Sequence, residues 1–406
     1  MNGSVPGKDM DTDADTRAGV PSAGPMLVLH VVGGLSGQGG VMSFVEQAAG
    51  LPVEGVSQRI WKHRDFRADS VGKAAKAGAA EGEASGWGAT GEGRYVCAGV
   101  ATATDLGMVH DLRAGIREAR VLRRWLRGRR GVILHAHSRV GMLAAAWGGG
   151  GFPLAVHLHK ISGQPWIYRA LVRWRGAHWV FNSQRTRDHH GIAANQATVI
   201  YPPISWPAEP APGDSGVARI VAAGAYVRVK QFDRLLAAVG LLRREGVTVP
   251  VEIVGRSTPP IDPVHDRELE ALATTIGGVT LAGYASAWAS RLRAGDVFVH
   301  AGDIEAYGIV ILEAYGRGCR VVVPPVSVLD ELGARGDGVF VAASTRPEDL
   351  AAALRRALAD RGEASGRWRE RRGVSGRVSV EECVCQLRGL YRSLAGTKST
   401  DGTATT

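Results

Sequence analysis

The sequence predicts an α/β fold made of two Rossmann-like domains that face each other across a cleft. Three observations carry that expectation. Apolar strand-like runs alternate with helical patterns through both halves of the chain, as in βα units on a parallel sheet. Residues 204–216, with Pro207, Pro210, Pro212, Gly213 and Gly216, interrupt the rhythm as a linker, after which it restarts. The 406 residues suffice for two domains with separate cores.

Charge and cysteine usage narrow the class. The net charge of +10 is uneven: residues 1–203 carry 24 Lys+Arg against 15 Asp+Glu, and residues 204–406 carry 25 against 24. A polyanionic or membrane partner would therefore meet the first half. No window approaches the roughly 18 consecutive apolar residues of a membrane span. Residues 1–25 are polar and contain Asp9, Asp11, Asp13 and Asp15, which reads as a disordered tail without the apolar core of a secretory signal. The Asp11-x-Asp13 pair looks like a metal motif, but its place in that tail removes it from consideration. The cysteines are Cys97, Cys319, Cys383 and Cys385, and no histidines complete a zinc pattern with them. A reduced, cytoplasmic protein without a structural metal is expected.

The first domain is expected over 26–203. Met26–Val32 reads as a buried parallel strand that runs into the glycine-rich turn Gly33–Gly40 and a helix from Val41 to Ala49. Such a turn suits an anion or sugar, and also a dinucleotide. The dinucleotide reading wants an acidic residue about 20 positions on, after a second strand; Glu54 sits in a turn-like context and serves poorly. Residues 68–93 read as a flexible insertion rich in Gly, Ala, Ser and Glu.

Asp111–Arg130 then forms an amphipathic helix. Leu112, Ile116, Ala119, Leu122 and Leu126 fall on one stripe, and Arg113, Arg117, Arg120, Arg124 and Arg127 on another. A solvated arginine face is the plain reading; docking to anionic lipid head groups is the sharper one. Nucleic acid is not expected, because no stacking aromatics or binding module accompany the arginines.

Two strands follow, Val132–His137 and Leu154–His159. Alternation sends His135 and His137 to one face of the first, and His157 and His159 to one face of the second. Ligands bind at the carboxyl edge of parallel strands, which makes four histidines there a candidate site; without an acidic ligand they do not read as a metal centre. Pro165–Arg175 is a basic, aromatic helix that either packs Trp166, Leu171 and Trp174 on the sheet or lies at an interface. Strands at His178–Ser183 and Ala197–Pro203 close the domain.

The second domain is expected over 217–377. Its strands are Arg219–Gly224, Val249–Gly255, Val279–Gly283, Val297–His300, Arg320–Pro324 and Val339–Ala343, and the helix Phe232–Glu245 carries core positions Leu235, Leu236, Val239 and Leu242. After the fourth strand comes Glu305-Ala-Tyr-Gly-Ile-Val-Ile-Leu-Glu313, ending at Gly318. Gly308 falls where a helix begins, so a ligand can approach the backbone closely. The N–H groups of Ile309 and Val310, backed by the helix dipole, favour phosphate there. Glu305 precedes the helix and Glu313 lies about one turn inside it. A sugar–diphosphate–ribose chain has that spacing of hydroxyls and charge. The plain alternative is a βα unit with two surface glutamates.

The Glu, seven residues, Glu pattern resembles the donor site of family 4 of the retaining, nucleotide-sugar-dependent glycosyltransferases, which have the GT-B fold. The likeness spans roughly residues 26–394, closest over 218–345. Two departures stand in the motif: Ala306-Tyr307 replaces the usual Gly-Phe, and Ala301-Gly302 the usual Pro-Ser. The loop Gly224–Lys230 resembles the family's second donor motif, with Lys230 at the lysine and Ala225 at the arginine position; Arg228 is the candidate replacement cation.

The resemblance further implies that Gly39 and Gly40 lie near the donor phosphates. It places His159 at the sugar-transfer centre and His137 near the acceptor. Glu313 would hold ribose, and Glu305 the sugar hydroxyls. Asp296 matches a capping or structural aspartate, and Glu331 is left open between function and structure. Residues 378–394 match a last helix that returns to the first domain; 395–406 would be a disordered tail.

The expected function is retaining transfer of a hexose or N-acetylhexosamine from a UDP-sugar to a hydroxyl of a small molecule, such as an aminocyclitol-type natural product in antibiotic biosynthesis. No cofactor or metal is expected. The alternatives are a cell-envelope glycolipid or polysaccharide acceptor, met peripherally at the inner face of the membrane, and a non-catalytic nucleotide- or NAD-binding protein.

Overall fold

Uninterrupted apolar runs such as Val132–Ala136 and Ile220–Ala223 are buried along their whole length, as strands covered by helices on both faces must be. The computed structural model describes residues 26–33, 40–63, 94–100, 108–161, 165–204, 206, 218–256, 260–285, 287–325, 327–334, 336, 338–360, 371 and 374–396. The predicted tail 1–25, the insertion 68–93, the linker residues 207–216, Gly39 and residues 397–406 lie outside these.

The first sheet has seven parallel strands in the order β3-β2-β1-β4-β5-β6-β7. They are β1 (Met26–Val31), β2 (Val56–His63), β3 (Tyr95–Gly99), β4 (Val132–Ala136), β5 (Leu154–Leu158), β6 (His178–Phe181) and β7 (Ala197–Val199). The second sheet has six, in the order β10-β9-β8-β11-β12-β13: β8 (Ile220–Ala223), β9 (Val251–Arg256), β10 (Val279–Gly283), β11 (Val297–Val299), β12 (Arg320–Val323) and β13 (Val339–Val341). The chain therefore has the predicted pair of Rossmann-like domains. In each, strand order reverses beside the first strand, between β1 and β4 and between β8 and β11. A crevice opens at such a switch point, outside the carboxyl ends of the strands.

The helices used below are α1 (Gly40–Gly50), α2 (Met108–Leu126), α3 (Arg139–Gly148), α4 (Pro165–Arg175), α5 (Gln184–His189), α6 (Phe232–Arg244), α7 (Pro263–Ile276), α8 (Ile309–Gly316), α9 (Val328–Glu331), α10 (Pro347–Ala359) and α11 (Val380–Gly396). Leu235, Leu236, Val239 and Leu242 of α6 are buried against β8, β9 and α10, as their spacing predicts. α11 returns to the first domain, where Cys383, Leu387, Leu390 and Tyr391 join Val28, Ile133 and Val180 in one core cluster. Each fully buried large apolar side chain contributes about 1.5–3 kcal/mol, so Leu387 and Leu390 alone anchor this helix firmly.

Three expectations are corrected. β2 and β3 were not foreseen, because β2 buries Gln58 and Lys62 beside Ile60 and Trp61, which breaks the apolar run. On α2 the predicted stripe is buried only in its C-terminal part, at Ala119, Leu122 and Leu126. Leu112 and Ile116 are 41% and 38% exposed, whereas Asp111 and Glu118 are buried. Small residues decide this: a Cβ on Gly115 would lie 2.6 Å from Leu143 Cβ, and one on Gly148 2.6 Å from the Ala119 carbonyl, so α2 and α3 pack nearly backbone to backbone. Asp111 pairs with Arg139 at 2.9 Å, and Glu118 accepts from the Trp61 indole and from Val100 N. On α4, Trp166 and Trp174 are 67% and 62% exposed, and Tyr168 and Val172 make the buried contacts instead.

Candidate active site

The candidate site in the second domain is built at the switch point of its sheet, from the loops after β8 and β11. Lys230 Nζ lies 2.5 Å from Glu305 Oε2, with both side chains about one-fifth exposed (22% and 20%). The same carboxylate accepts from its neighbour's N–H, Ala306 N to Oε1 at 3.2 Å. His300, the residue after β11, places Nε2 at 3.8 Å from Glu305 Oε2. Burial drives the His300 pKa down to about 4, so it is neutral at pH 7. Burial alone would raise the Glu305 pKa, but Lys230, His300 and the Ala306 N–H more than offset it, and the group stays anionic.

Gly308 caps α8 with φ +83°, a conformation that suits glycine. A Cβ there would also lie 2.7 Å from Ile311 Cδ1 and 3.3 Å from Glu305 Cγ, so the glycine makes room for the catalytic candidate as well. Ile311 N and Leu312 N turn back onto the Gly308 carbonyl at 2.9 and 3.3 Å. Ile309 and Val310, the first two helical residues, have no helical acceptor by construction and present their N–H groups outward. Further along, Glu313 Oε2 accepts from Trp288 Nε1 at 2.7 Å, and burial pushes the Glu313 pKa up to about 7.

Arg228 is not brought to this site. Its guanidinium, 60% exposed, pairs with Glu268 at 3.0 Å and Asp262 at 3.7 Å at the start of α7. Two residues along the short 3-10 turn Arg228–Lys230, the chain has rotated far enough that one side chain faces α7 and the other the crevice. Asp296 is structural: its oxygens accept from Arg219 at 3.1 and 2.6 Å and from Arg293 N at 2.9 Å.

In the first domain the predicted histidines converge, and a fifth joins them. His30 Nδ1 and His137 Nε2 are 2.9 Å apart, His137 Nδ1 and His159 Nε2 2.9 Å, and His157 Nδ1 and His135 Nε2 3.2 Å. Burial, first of all, holds all five imidazoles below their ordinary range, His30 at about 4 and His159 at about 3, so all are neutral. The nitrogens of His30, His135 and His137, and those of His137, His157 and His159, lie within 4.8 Å of one another. Three neutral imidazoles without a carboxylate are a donor set that zinc accepts; in the 2.9 Å pairs the nitrogens are hydrogen-bonded to each other.

The two halves meet through Asn182, Ser183 and Thr186, which the sequence did not single out, and through Gly40 and Glu331, which it did. Asn182 Nδ2 donates to the His159 carbonyl at 3.1 Å, and Thr186 Oγ1 donates to Asn182 Oδ1 at 2.9 Å beside the Ala306 carbonyl. Ser183 Oγ donates to the same carbonyl at 2.7 Å. His159 is thereby tied to the turn that carries Glu305. Tyr307 donates to the Pro202 carbonyl at 3.0 Å, and a Cβ on Gly40 would lie 3.8 Å from Ile309 Cδ1, which sets the start of α1 against α8. Glu331 is an interdomain strut: its carboxylate accepts from Gln184 N (2.5 Å), Arg185 N (3.1 Å) and Tyr201 Oη (2.7 Å). A cleft of about 610 Å³ opens here, bordered by Ile161, Arg185, Asp188, Ile304, Asp330 and Glu331. An Asn-Ser/Thr run after a strand was the available signal, but only its partners 120 residues away reveal its role.

The dinucleotide alternative loses its acidic residue. Glu54 precedes β2 rather than following it and is turned to Arg388 and Arg392 of α11 at 3.5 and 3.3 Å.

Known proteins share parts of this architecture. Residues 218–360 match the family model described as glycosyl transferases group 1. No curated protein matches the chain in sequence. Among solved structures, sucrose-phosphate synthase from Thermosynechococcus elongatus is 17% identical, with 92% of this chain and 99% of that chain covered and a TM-score of 0.68. HepE from Anabaena, in complex with UDP and glucose, is 17% identical over 91% of this chain and 100% of that one, with a TM-score of 0.67. A glycosyltransferase from Rickettsia africae ESF-5 is 15% identical over 93% and 100%, with a TM-score of 0.66. The chain thus has the fold of these GT-B structures, and within it residues 218–360 match the group 1 glycosyl transferase model.

Proposed function

We propose that this protein is a retaining glycosyltransferase that moves a hexose or N-acetylhexosamine from a UDP-sugar to a hydroxyl of a small-molecule acceptor. The observation that carries the reading is the Lys230–Glu305 pair at the switch point, beside the glycine-capped start of α8. Lys230 and the N–H groups of Ile309 and Val310 stabilise charge on the departing diphosphate, where preorganised donors contribute most. In the free protein Glu305 neutralises Lys230. When a diphosphate takes over the lysine, the carboxylate is released to accept from sugar hydroxyls and orient the anomeric carbon. Glu313, one turn on, accepts from ribose hydroxyls. The acceptor hydroxyl attacks from the face that the diphosphate leaves, past His159. No metal ion is required in this reading, because the lysine and the helix start supply positive charge. The HepE structures hold UDP, UDP and glucose, or UDP-glucose, which supports a UDP-linked donor.

Asp188 and Asp330 border the cleft together with Arg185, a mixed polar lining that suits a small acceptor rich in hydroxyls, such as an aminocyclitol. A second acceptor reading has its own observation. Met108 and Val109 are 52% and 63% exposed at the start of α2, on the helix that also exposes Arg113, Arg117, Arg120 and Arg124. That surface suits a lipid-linked acceptor at an anionic membrane. No helix among the described residues is long and apolar enough to cross a membrane. UDP release from UDP-glucose and UDP-GlcNAc, with aminocyclitols and without, tests the first reading; co-sedimentation with anionic and neutral vesicles tests the second. Absence of UDP release with every donor, while UDP fails to bind, would overturn the donor assignment.

A further inference from the structure

The buried histidines form a chain whose direction can be deduced, because one end is fixed by groups that only accept. Gln58 Nε2 lies 2.7 Å from the Ala48 carbonyl and 3.1 Å from the Leu51 carbonyl. Carbonyl oxygens cannot donate, so the amide nitrogen must face them, and Gln58 Oε1 is left to face His30 Nε2 at 3.1 Å. An amide oxygen accepts, so His30 carries its hydrogen on Nε2. In a neutral ring the other nitrogen then holds a lone pair. His30 Nδ1 therefore accepts from His137 Nε2–H at 2.9 Å, and His137 Nδ1 accepts from His159 Nε2–H at 2.9 Å. The opposite direction would set the His30 Nε2 lone pair against the Gln58 carbonyl oxygen, with no hydrogen between two acceptors. A second branch ends on the same oxygen: Tyr391 Oη is 3.4 Å from Gln58 Oε1 and 3.0 Å from His135 Nδ1.

We propose that Gln58 is a positioning residue whose side-chain amide directs the relay His30–His137–His159, so that His159 meets the cleft with its hydrogen on Nε2 and an acceptor lone pair on Nδ1. Three features support this assignment. Gln58, His30 and His137 are buried, so water does not compete for their hydrogen bonds. His137 and His159 stand just past the carboxyl ends of β4 and β5, where the fold opens its crevice. The Asn182 and Ser183 bonds hold His159 in register with the turn that carries Glu305. The consequence is chemical. His159 Nδ1 accepts a hydrogen bond from a hydroxyl of the donor sugar or acceptor, and does not donate one to a ring or leaving oxygen. This last step rests on the glycosyltransferase reading; the tautomer itself does not.

The test is therefore made first on the ligand-free protein. With ¹⁵N-labelled histidine, long-range ¹H–¹⁵N correlation should show a pyrrole-type Nε2 and a pyridine-type Nδ1 for His30, His137 and His159. A hydrogen on Nδ1 of His159 overturns the proposal without any variant. So does zinc or another transition metal bound stoichiometrically in the purified protein, since the rings would then be ligands rather than a relay. In Gln58→Met the amide anchor is gone, and His159 should become a mixture of tautomers, with kcat lowered about tenfold, as for other residues that orient a functional imidazole, and donor KM little changed. Gln58→Glu should retain the wild-type signals. Its carboxyl must be protonated to face the Ala48 and Leu51 carbonyls, and it keeps an acceptor oxygen toward His30. An unaltered His159 tautomer in folded Gln58→Met would refute the role of Gln58. If the tautomers are as described but no sugar is transferred, the proposed function fails while the relay stands.

Discussion

Replacing Lys230 with alanine separates two contributions of one side chain. In the free protein its nitrogen lies 2.5 Å from Glu305 Oε2. At that distance and an effective dielectric constant of about 20, the gross attraction is roughly 7 kcal/mol. Desolvation cancels most of it. Truncating one partner of a fully buried pair costs about 3–5 kcal/mol, and of an exposed pair about 0–1 kcal/mol. With both side chains about one-fifth exposed, a loss of about 1–3 kcal/mol in stability is expected. In the reaction the lysine faces the diphosphate, and loss of one preorganised charge contact lowers kcat by about 10²–10³. A double-mutant cycle distinguishes the two. Glu305→Gln in the Lys230→Ala background removes the uncompensated carboxylate and should recover much of the stability, while turnover stays low. Thermal unfolding of all four proteins, with steady-state UDP release for each, supplies both readouts. Turnover within threefold of wild type in Lys230→Ala, or no recovery of stability in the double variant, would refute the reasoning.

Other outcomes follow from the same site. Glu313, raised to about 7 by burial, should be a better ribose acceptor once ionised, so UDP affinity by calorimetry should rise between pH 6 and 8 and lose that slope in Glu313→Gln. The stability sign is opposite to that of a salt-bridged carboxylate. The folded state holds this proton more tightly, so the group's cost is absent below the unfolded pKa near 4.5 and grows to about 3 kcal/mol as pH passes 7; Glu313→Gln should flatten that fall in a pH series of melts. Arg228→Ala should leave turnover within about threefold, since exposed pairs such as Arg228–Glu268 contribute little; a hundredfold loss would show that the arginine swings to the donor. Gly308→Ala should cost about 1–2 kcal/mol in a thermal melt, because the left-handed backbone is strained for alanine. Turnover should fall too, because the new methyl crowds Glu305 Cγ; full activity would mean that the turn adjusts freely.

Much of the site was legible because it is local. Glu305, Gly308 and Glu313 stand at fixed spacing on one strand-to-helix unit, so their mutual geometry follows from helix pitch and turn chemistry. Lys230 belongs to a second such unit, and a parallel sheet that reverses its order beside β8 must bring the two loops together. The histidines of β4 and β5 share one face by strand alternation, as predicted. Arg228 shows the boundary of that logic: its direction depends on Glu268 and Asp262 of the neighbouring helix α7 and its cap.

By itself, then, the sequence determined the two Rossmann-like domains, the core face of α6 and the local spacing of Glu305, Gly308 and Glu313. Period, turn residues and apolar runs act between neighbours in the chain. Only the tertiary structure decided which polar groups could be buried. Gln58 and Lys62 inside β2, and Asp111 and Glu118 under α2, each look like a surface residue in isolation. Burial of such a group is costly unless a partner satisfies it, and the partners lie far off in the chain. Tyr391, 256 residues from His135 and 333 from Gln58, closes the histidine network only because the last helix crosses back to the first sheet.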